Sequence, residues 1–313
     1  MNRSFPFHPF PSGWYQVAYG EELAPGDVRA LRYFGRDLVL FRTESGAARV
    51  FDAHCVHLGA HLGVGGRVVG ESLRCPFHAW RWGADGACVE VPYSVRPPAQ
   101  ARMRSWPLCE VNGLVMVFHD ATGAAPSWHV PVLAEVGADE WTPFEKRRWK
   151  IRTQPQEMAE NAVDRAHFRF VHGTLTLPET VAEADGPALR VRSKMKLGTP
   201  MGEMDGAIES DSWGFGFGAV RFKGIVETLL VTSVVPIDGE HVDVWFSFSI
   251  RKLGSRGATR GVGAALIADI EKQLAEDTPI WENKAHLAQP CLSPDDGPIG
   301  LLRRWAQQFY PAA

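Results

Sequence analysis

The sequence predicts an α+β chain in two parts, a small all-β unit followed by a larger α+β unit built on an antiparallel sheet. Three observations carry that prediction. Short apolar segments separated by Gly and Asp turns fill residues 14–120. A stretch marked by Pro126, Pro131 and Pro143 follows, and from about Trp149 helical periodicity alternates with β runs. We set the units as 1–125 and 126–313.

Read in order, the first β segments are Trp14–Ala18, Leu38–Phe41, Arg49–Phe51 and Leu114–Phe118, with Gly83-Ala84-Asp85-Gly86 as a tight turn. In the second part a helical segment near 155–171 precedes β runs at Ile225–Val235 and Val242–Ile250, joined through Asp238-Gly239. A long helix is expected from about Gly263 to Ala288. No solenoid repeat or low-complexity tract interrupts this order. With 45% of 313 residues hydrophobic, the chain can bury a core of two-domain size. A formal net charge of -3 argues against nucleic acid as the main partner. Five cysteines in no disulfide framework favour a reducing compartment, read as the cytoplasm, and no signal peptide or membrane span is visible.

Cys55-Val56-His57 and Cys75-Pro76-Phe77-His78 put one thiol and one imidazole on each of two loops, separated by the 17 residues Leu58 to Arg74. Cys55 and Cys75 on one iron and His57 and His78 on the other would make a [2Fe–2S] cluster of raised potential, because neutral imidazole donates less charge than thiolate. A structural zinc site also takes two Cys and two His, but usually as a Cys pair and a His pair, whereas each loop here mixes the two. His54 and His61 fall outside the repeated spacing and read as packing residues. Cys88, Cys109 and Cys291 read as ordinary buried thiols.

A second set lies between Glu157 and Gly173. Asn161, Asp164 and His167 recur every three residues, which on a helix gives them one face. His172 lies five residues past His167, about 140° round a regular helix. The helix is therefore expected to bulge or end between them, with Gly173 accompanying the end. Two histidines and a carboxylate on one face of a metal, with open positions, suit non-haem Fe(II). Asp277 is the candidate carboxylate because it sits beside an apolar pair in a helical run; the alternatives are that it only caps a helix restarting at Pro279, or that Glu276 is the ligand. Asp164 is placed to accept a proton from the His167 ring and fix its tautomer.

These residues resemble the Rieske non-haem iron oxygenases over nearly the whole chain. Cys55-Val56-His57-Leu58-Gly59-Ala60, Gly65-Gly66-Arg67-Val68-Val69-Gly70 and Cys75-Pro76-Phe77-His78 look most like the cholesterol 7-desaturases. The ending, Ile280-Trp281-Glu282-Asn283-Lys284 with Asp296-Gly297-Pro298-Ile299 and Arg303-Arg304-Trp305 to Gln308-Phe309-Tyr310, is similar to 3-ketosteroid 9α-hydroxylase oxygenase components. The resemblance implies an N-terminal Rieske [2Fe–2S] domain and a helix-grip-like catalytic domain. It implies that Cys55, His57, Cys75 and His78 hold the cluster and that His167, His172 and Asp277 hold a mononuclear Fe(II). Asp164 would bridge a cluster in one subunit to the iron of its neighbour in a head-to-tail homotrimer, and with Asn161 it completes the candidate catalytic pair. O2 would be the co-substrate and a sterol or steroid the apolar substrate.

No G-x-G-x-x-G follows a strand, and Gly214, Gly216 and Gly218 alternate in the wrong pattern for a dinucleotide turn. Electrons are therefore expected from NAD(P)H through a separate ferredoxin or flavin reductase. Hydroxylation, desaturation or oxidative demethylation can each follow, depending on the nearest carbon. Trp213, Phe215, Phe217, Phe222, Leu229, Val231, Trp245, Phe246 and Phe248 are candidates to line a long apolar pocket, though their alternation equally fits sheet core. Two other functions are weighed: an oxygenase or O-demethylase on an aromatic or natural-product substrate, and an electron carrier, which would leave His167, His172 and Asp277 unexplained.

Overall fold

The computed structural model describes residues 5–199 and 202–311. The first half holds β1 (Gly13–Tyr19), β2 (Val28–Tyr33), β3 (Arg36–Arg42), β4 (Ala48–Asp52), β5 (Arg67–Val69), β6 (Ser72–Arg74), β7 (Arg81–Trp82), β8 (Cys88–Glu90), β9 (Leu108–Val111) and β10 (Leu114–His119). They form three antiparallel sheets ordered β1-β10-β9, β2-β3-β4 and β5-β6-β7-β8. β1, β3, β4 and β10 are where the apolar alternation puts them. β2 and the short strands β5 to β9 were not read from the sequence, because two to six residues with charged or glycine neighbours carry too little periodicity.

The second half adds β11 (Glu145–Ile151), the short helices α1 (Pro155–Glu160) and α2 (Arg165–Phe170), and the strands β12 (Glu179–Asp185), β13 (Ala188–Thr199), β14 (Gly202–Trp213), β15 (Gly218–Lys223), β16 (Thr228–Pro236) and β17 (Val242–Ile250). Helices α3 (Arg256–Asn283) and α4 (Ile299–Ala306) follow. The strands make one seven-stranded antiparallel sheet, ordered β11-β17-β16-β15-β14-β13-β12. The expected helix over 155–171 is two helices with a corner between them, and the long helix begins and ends earlier than its periodicity suggested. Ser255 sets that start, its hydroxyl accepting from the Ala258 N–H at 3.2 Å. Pro279 lies inside α3 and does not restart it, so the reading of Asp277 as a cap at that point is withdrawn.

The large sheet has two different faces. One joins the first half in a single core, where Ala219, Leu229, Val231 and Trp245 pack with Trp14, Tyr15 and Val17. The approach is close enough that a Cβ at Gly216 would lie 2.2 Å from the Trp14 carbonyl oxygen, so only glycine fits there. Polar ties cross the same seam: the Tyr33 hydroxyl donates to Asp243 at 2.6 Å, and the Tyr19 and Ser247 hydroxyls pair at 2.9 Å. The other face is covered by α3, through Ile267, Ile270, Leu274 and Trp281, and by α4, through Leu302 and Trp305. Of the nine aromatic and aliphatic candidates, Phe215, Phe217, Phe222 and Phe246 line the cavity on this face, Leu229, Val231, Trp245 and Phe248 are core, and Trp213 packs half-buried against the core shared with the first half rather than lining the cavity. All five cysteines are free; Cys291 is exposed and Cys88 and Cys109 are half-buried, so none of these three is the buried thiol expected.

Candidate functional site

The four residues of the first motif meet at two loop tips, one after β4 and one after β6. Each loop folds back on itself through its own backbone. The Gly59 N–H donates to the Cys55 carbonyl at 2.8 Å, the Cys55 N–H to Ala60 at 2.9 Å and the Cys75 N–H to Trp80 at 2.8 Å. Each also needs a left-handed residue after its histidine region, supplied by Gly59 (φ 76) in one loop and Ala79 (φ 58) in the other. Alanine there costs about 1 kcal/mol.

Both cysteines are buried. The His57 ring stacks on Trp80 at 4.3 Å and lies 4.8 Å from the His78 ring. Burial, with Cys75 alongside, pushes the Cys55 thiol up to about 11. Nδ1 of His78 is buried with no protein hydrogen-bond partner, an orphan that a metal bond would satisfy. Two buried cysteines beside two imidazoles, one of them with an unpartnered nitrogen, fit a [2Fe–2S] group with mixed ligands. His54 and His61 pair with each other outside this set, rings 5.1 Å apart.

The second set is assembled from three segments. α1 ends at Glu160, the chain turns through Asn161, and Asp164 caps α2 with Oδ1 accepting from the N–H groups of Ala166 (2.9 Å) and His167 (3.1 Å). Asn161, Asp164 and His167 thus do not share one helix face. The Asp164 backbone carbonyl, rather than its carboxylate, holds His167 Nδ1, at 2.7 Å. α2 ends between the two histidines, where the N–H groups of Val171 and His172 both donate to the His167 carbonyl, at 2.8 and 3.3 Å, and Gly173 turns left-handed at φ 71. That tightened exit brings the His172 ring to 5.1 Å from His167, at 82°.

α3 supplies Asp277, whose Oδ2 lies 3.4 Å from His172 Nε2. One ligating atom from each of His167, His172 and Asp277 lies within 4.8 Å of the others. Glu276 stands on the opposite side of the His172 ring, accepting from Nδ1 at 3.0 Å. Both imidazoles thereby offer Nε2 inward, each with its outer nitrogen fixed, which is the arrangement metal-bound histidines adopt. The donor set fits a divalent iron with open positions. Burial lowers the His167 pKa; burial also opposes charge on His172, but the Asp277 and Glu276 carboxylates outweigh it and raise that pKa. The Asn161 amide donates to Asp277 Oδ2 at 3.0 Å, and its carbonyl oxygen accepts from the Trp281 indole at 3.3 Å. Trp281 entered the sequence reading only in the apolar pair beside Asp277 and in the resemblance of the chain's ending, not as a site residue, although its spacing of four from Asp277 puts both on one side of α3.

A cavity of about 250 Å³ opens between the large sheet and the helices, and the two histidines and Asp277 form part of its wall. Most of the rest is apolar, including Met158, Phe222, Leu230 and Leu274. A second convergence, Glu157, Glu160 and His286, is already neutralised: Lys284 Nζ lies 2.6 Å from Glu157, and Arg303 Nε donates to Glu160 at 2.8 Å. No helix among the described residues is long and apolar enough to cross a membrane.

Residues 13–107 match the Rieske [2Fe-2S] domain family, and residues 117–310 match the family described as 3-Ketosteroid 9alpha-hydroxylase C-terminal domain. A 3-ketosteroid-9-alpha-monooxygenase oxygenase component from Rhodococcus rhodochrous is 32% identical over 334 residues, covering 96% of this chain and 81% of the relative. Cholesterol 7-desaturase from Xenopus laevis is 31% identical, covering 96% of this chain and 72% of the relative. Among solved structures, dicamba monooxygenase bound to dicamba superposes with a TM-score of 0.74 at 16% identity, covering 95% of this chain and 96% of that one. Pseudomonas putida NdmA with caffeine does so with 0.76 at 18% identity, covering 94% and 89%. At those identities the structural likeness speaks for the fold alone.

Proposed function

We propose, from the premise that this chain belongs to the Rieske oxygenases with a 3-ketosteroid 9α-hydroxylase C-terminal domain, that it oxidises a steroid-like apolar substrate at the site formed by His167, His172 and Asp277. The enzyme is an oxidoreductase. The observation that carries the substrate reading is the convergence of two imidazoles and one carboxylate on the wall of a largely apolar cavity.

Cys55, His57, Cys75 and His78 would hold the [2Fe–2S] cluster, and His167, His172 and Asp277 the iron. When bound, these groups supply one-electron transfer and O2 activation. The chain's residues supply geometry. Asn161 holds one oxygen of Asp277, Trp281 fixes which way the Asn161 amide points, and Glu276 orients His172. The apolar wall excludes water and holds an unreactive C–H bond toward the open side of the site. Asp164 is the candidate link for electrons arriving from a cluster.

We further propose a head-to-tail homotrimer and a transient ferredoxin or flavin reductase that draws on NAD(P)H. Apolar side chains rim the cluster loops, with Phe77 61% exposed, and Phe170 beside the iron cradle is 82% exposed; both support protein contacts at these two places. Free cysteines throughout support a cytoplasmic location. A second reading, O-demethylation of a smaller aromatic, draws on the cavity volume, which falls just under the range of about 300–1,000 Å³ usual for ligand pockets.

The test is reconstitution with a ferredoxin, a reductase and NADH, followed by mass analysis of a panel of sterols, 3-ketosteroids and methoxylated aromatics. A steroid product heavier by one oxygen or lighter by two hydrogens is expected. Turnover of the methoxylated aromatics alone would select the second reading, and reduction of the protein without any product would leave an electron carrier.

A further inference from the structure

The floor of the cavity is the helix-facing side of the large sheet, where one cross-strand row reads Leu189, Ser212, Gly218, Thr232, Phe246. Its middle is small and carries two hydroxyls, in a surface that is otherwise mostly apolar apart from Ser193 and Ser210. A Cβ at Gly218 would lie 2.7 Å from Thr232 Oγ1 and 3.6 Å from Ser212 Oγ. Glycine therefore keeps open a notch whose two sides are hydroxyl groups.

Neither hydroxyl is bonded to another described residue, although both residues line the cavity. Ser193, further along the same face of β13, differs: its hydroxyl pairs with Thr180 at 2.9 Å. Trp305 lines the same cavity and packs in one cluster with Leu189, the cross-strand neighbour of Ser212. Its indole nitrogen is buried without a hydrogen-bond partner, and the residue is only 4% exposed. The two hydroxyls thus face the chamber with no partner among the described residues, free to meet an acceptor there, while the Trp305 indole nitrogen is closed off from it.

We infer that the Ser212–Gly218–Thr232 notch is a subsite for an acceptor oxygen of the substrate, foremost a ketone. Its two hydroxyls donate to that oxygen. The ligand class is an apolar skeleton carrying an acceptor oxygen that reaches the notch. This rests on the cavity being the substrate chamber of the oxygenase proposed above, and it adds how that chamber selects and orients its occupant. Gly218 is the residue that sets specificity, since any side chain there displaces the Thr232 hydroxyl.

The experiment is equilibrium dialysis on the full, metal-loaded chain without reductant, so that no turnover is needed. The probes are two matched pairs: a 3-ketosteroid with its 3-deoxy counterpart, and 2-tetralone with tetralin. The wild type is expected to favour the ketone by about tenfold or more in at least one pair. In Ser212→Ala/Thr232→Val, which keeps the shape and removes both hydroxyls, the preference should fall below about twofold while the deoxygenated probe binds as before. Retained binding of that probe also reports an intact fold. Gly218→Ala should lower the preference as well. Equal or undetectable binding within both pairs by the wild type, or a preference that survives in the double variant, overturns the subsite. Failure of the oxygenase reading would appear elsewhere, as absence of product under electron supply.

Discussion

The cluster loops and the candidate metal cradle are built on opposite principles. The loops hold four candidate ligands within Cys55–His78 and are shaped by backbone bonds inside each loop, such as Gly59 to Cys55. The cradle gathers His167 and His172 from a broken helix and Asp277 from α3, and keeps them in register through side chains: Asn161 to Asp277, Trp281 to Asn161, Glu276 to His172. A locally closed loop tolerates changes elsewhere in the protein. A cradle held by side chains from separate segments depends on how α3 docks against α1 and α2, so damage at one position spreads to the others.

The sharpest way to break this comparison is Asp277→Ala. Turnover should fall by about 1,000-fold or more, equivalent to roughly 4 kcal/mol, with one iron lost per chain by metal analysis. The visible spectrum of the cluster should remain. Loss of that spectrum would mean that the two centres are not independent.

Acid probes the first half separately. His119, stacked on Phe34 at 4.5 Å, is held neutral by burial, its pKa lowered to about 4. The unfolded chain takes up that proton near 6.5, whereas the folded chain resists until about 4. Stability is therefore full above pH 6.5 and falls as pH drops toward 4, by about 3 kcal/mol in all. Urea midpoints across that window should decline in the wild type and flatten in His119→Gln.

Glu276→Gln tests the cradle more gently. Loss of the carboxylate that orients His172 should weaken iron binding by about 10–100-fold, read by competition with a chelator, and leave the cluster spectrum unchanged. An unaltered affinity would show that His172 is aimed by packing alone. The smallest effect is expected at the loops: Ala79→Gly removes a left-handed alanine and should raise the urea midpoint by the equivalent of about 0.5–1 kcal/mol.

The same contrast explains what the sequence disclosed. Cys55, His57, Cys75 and His78 stood out as a candidate ligand set because their spacing already places them on two facing loops. His167 and His172 were legible as a pair, and so was the need for a helix to end between them, because five residues do not fit a turn. The corner at Asn161–Asp164 was not, since Pro155, Asp164 and Gly173 each permit several boundaries. Choosing between Glu276 and Asp277 needed the docked α3, which sets which carboxylate meets Nε2 and which meets Nδ1. The Ser212, Gly218 and Thr232 row was invisible for a related reason: cross-strand neighbours are fixed by register, and register is a property of the whole sheet.

The glycine at 216, pressed against the Trp14 backbone within a core that both halves share, bears on engineering. A front half excised for use as a stand-alone redox module would carry an uncovered greasy flank and tend to clump. Exchanging front halves between cousins, to accept a different electron donor, would require the strand bearing Trp14 and its facing strands to travel as one block.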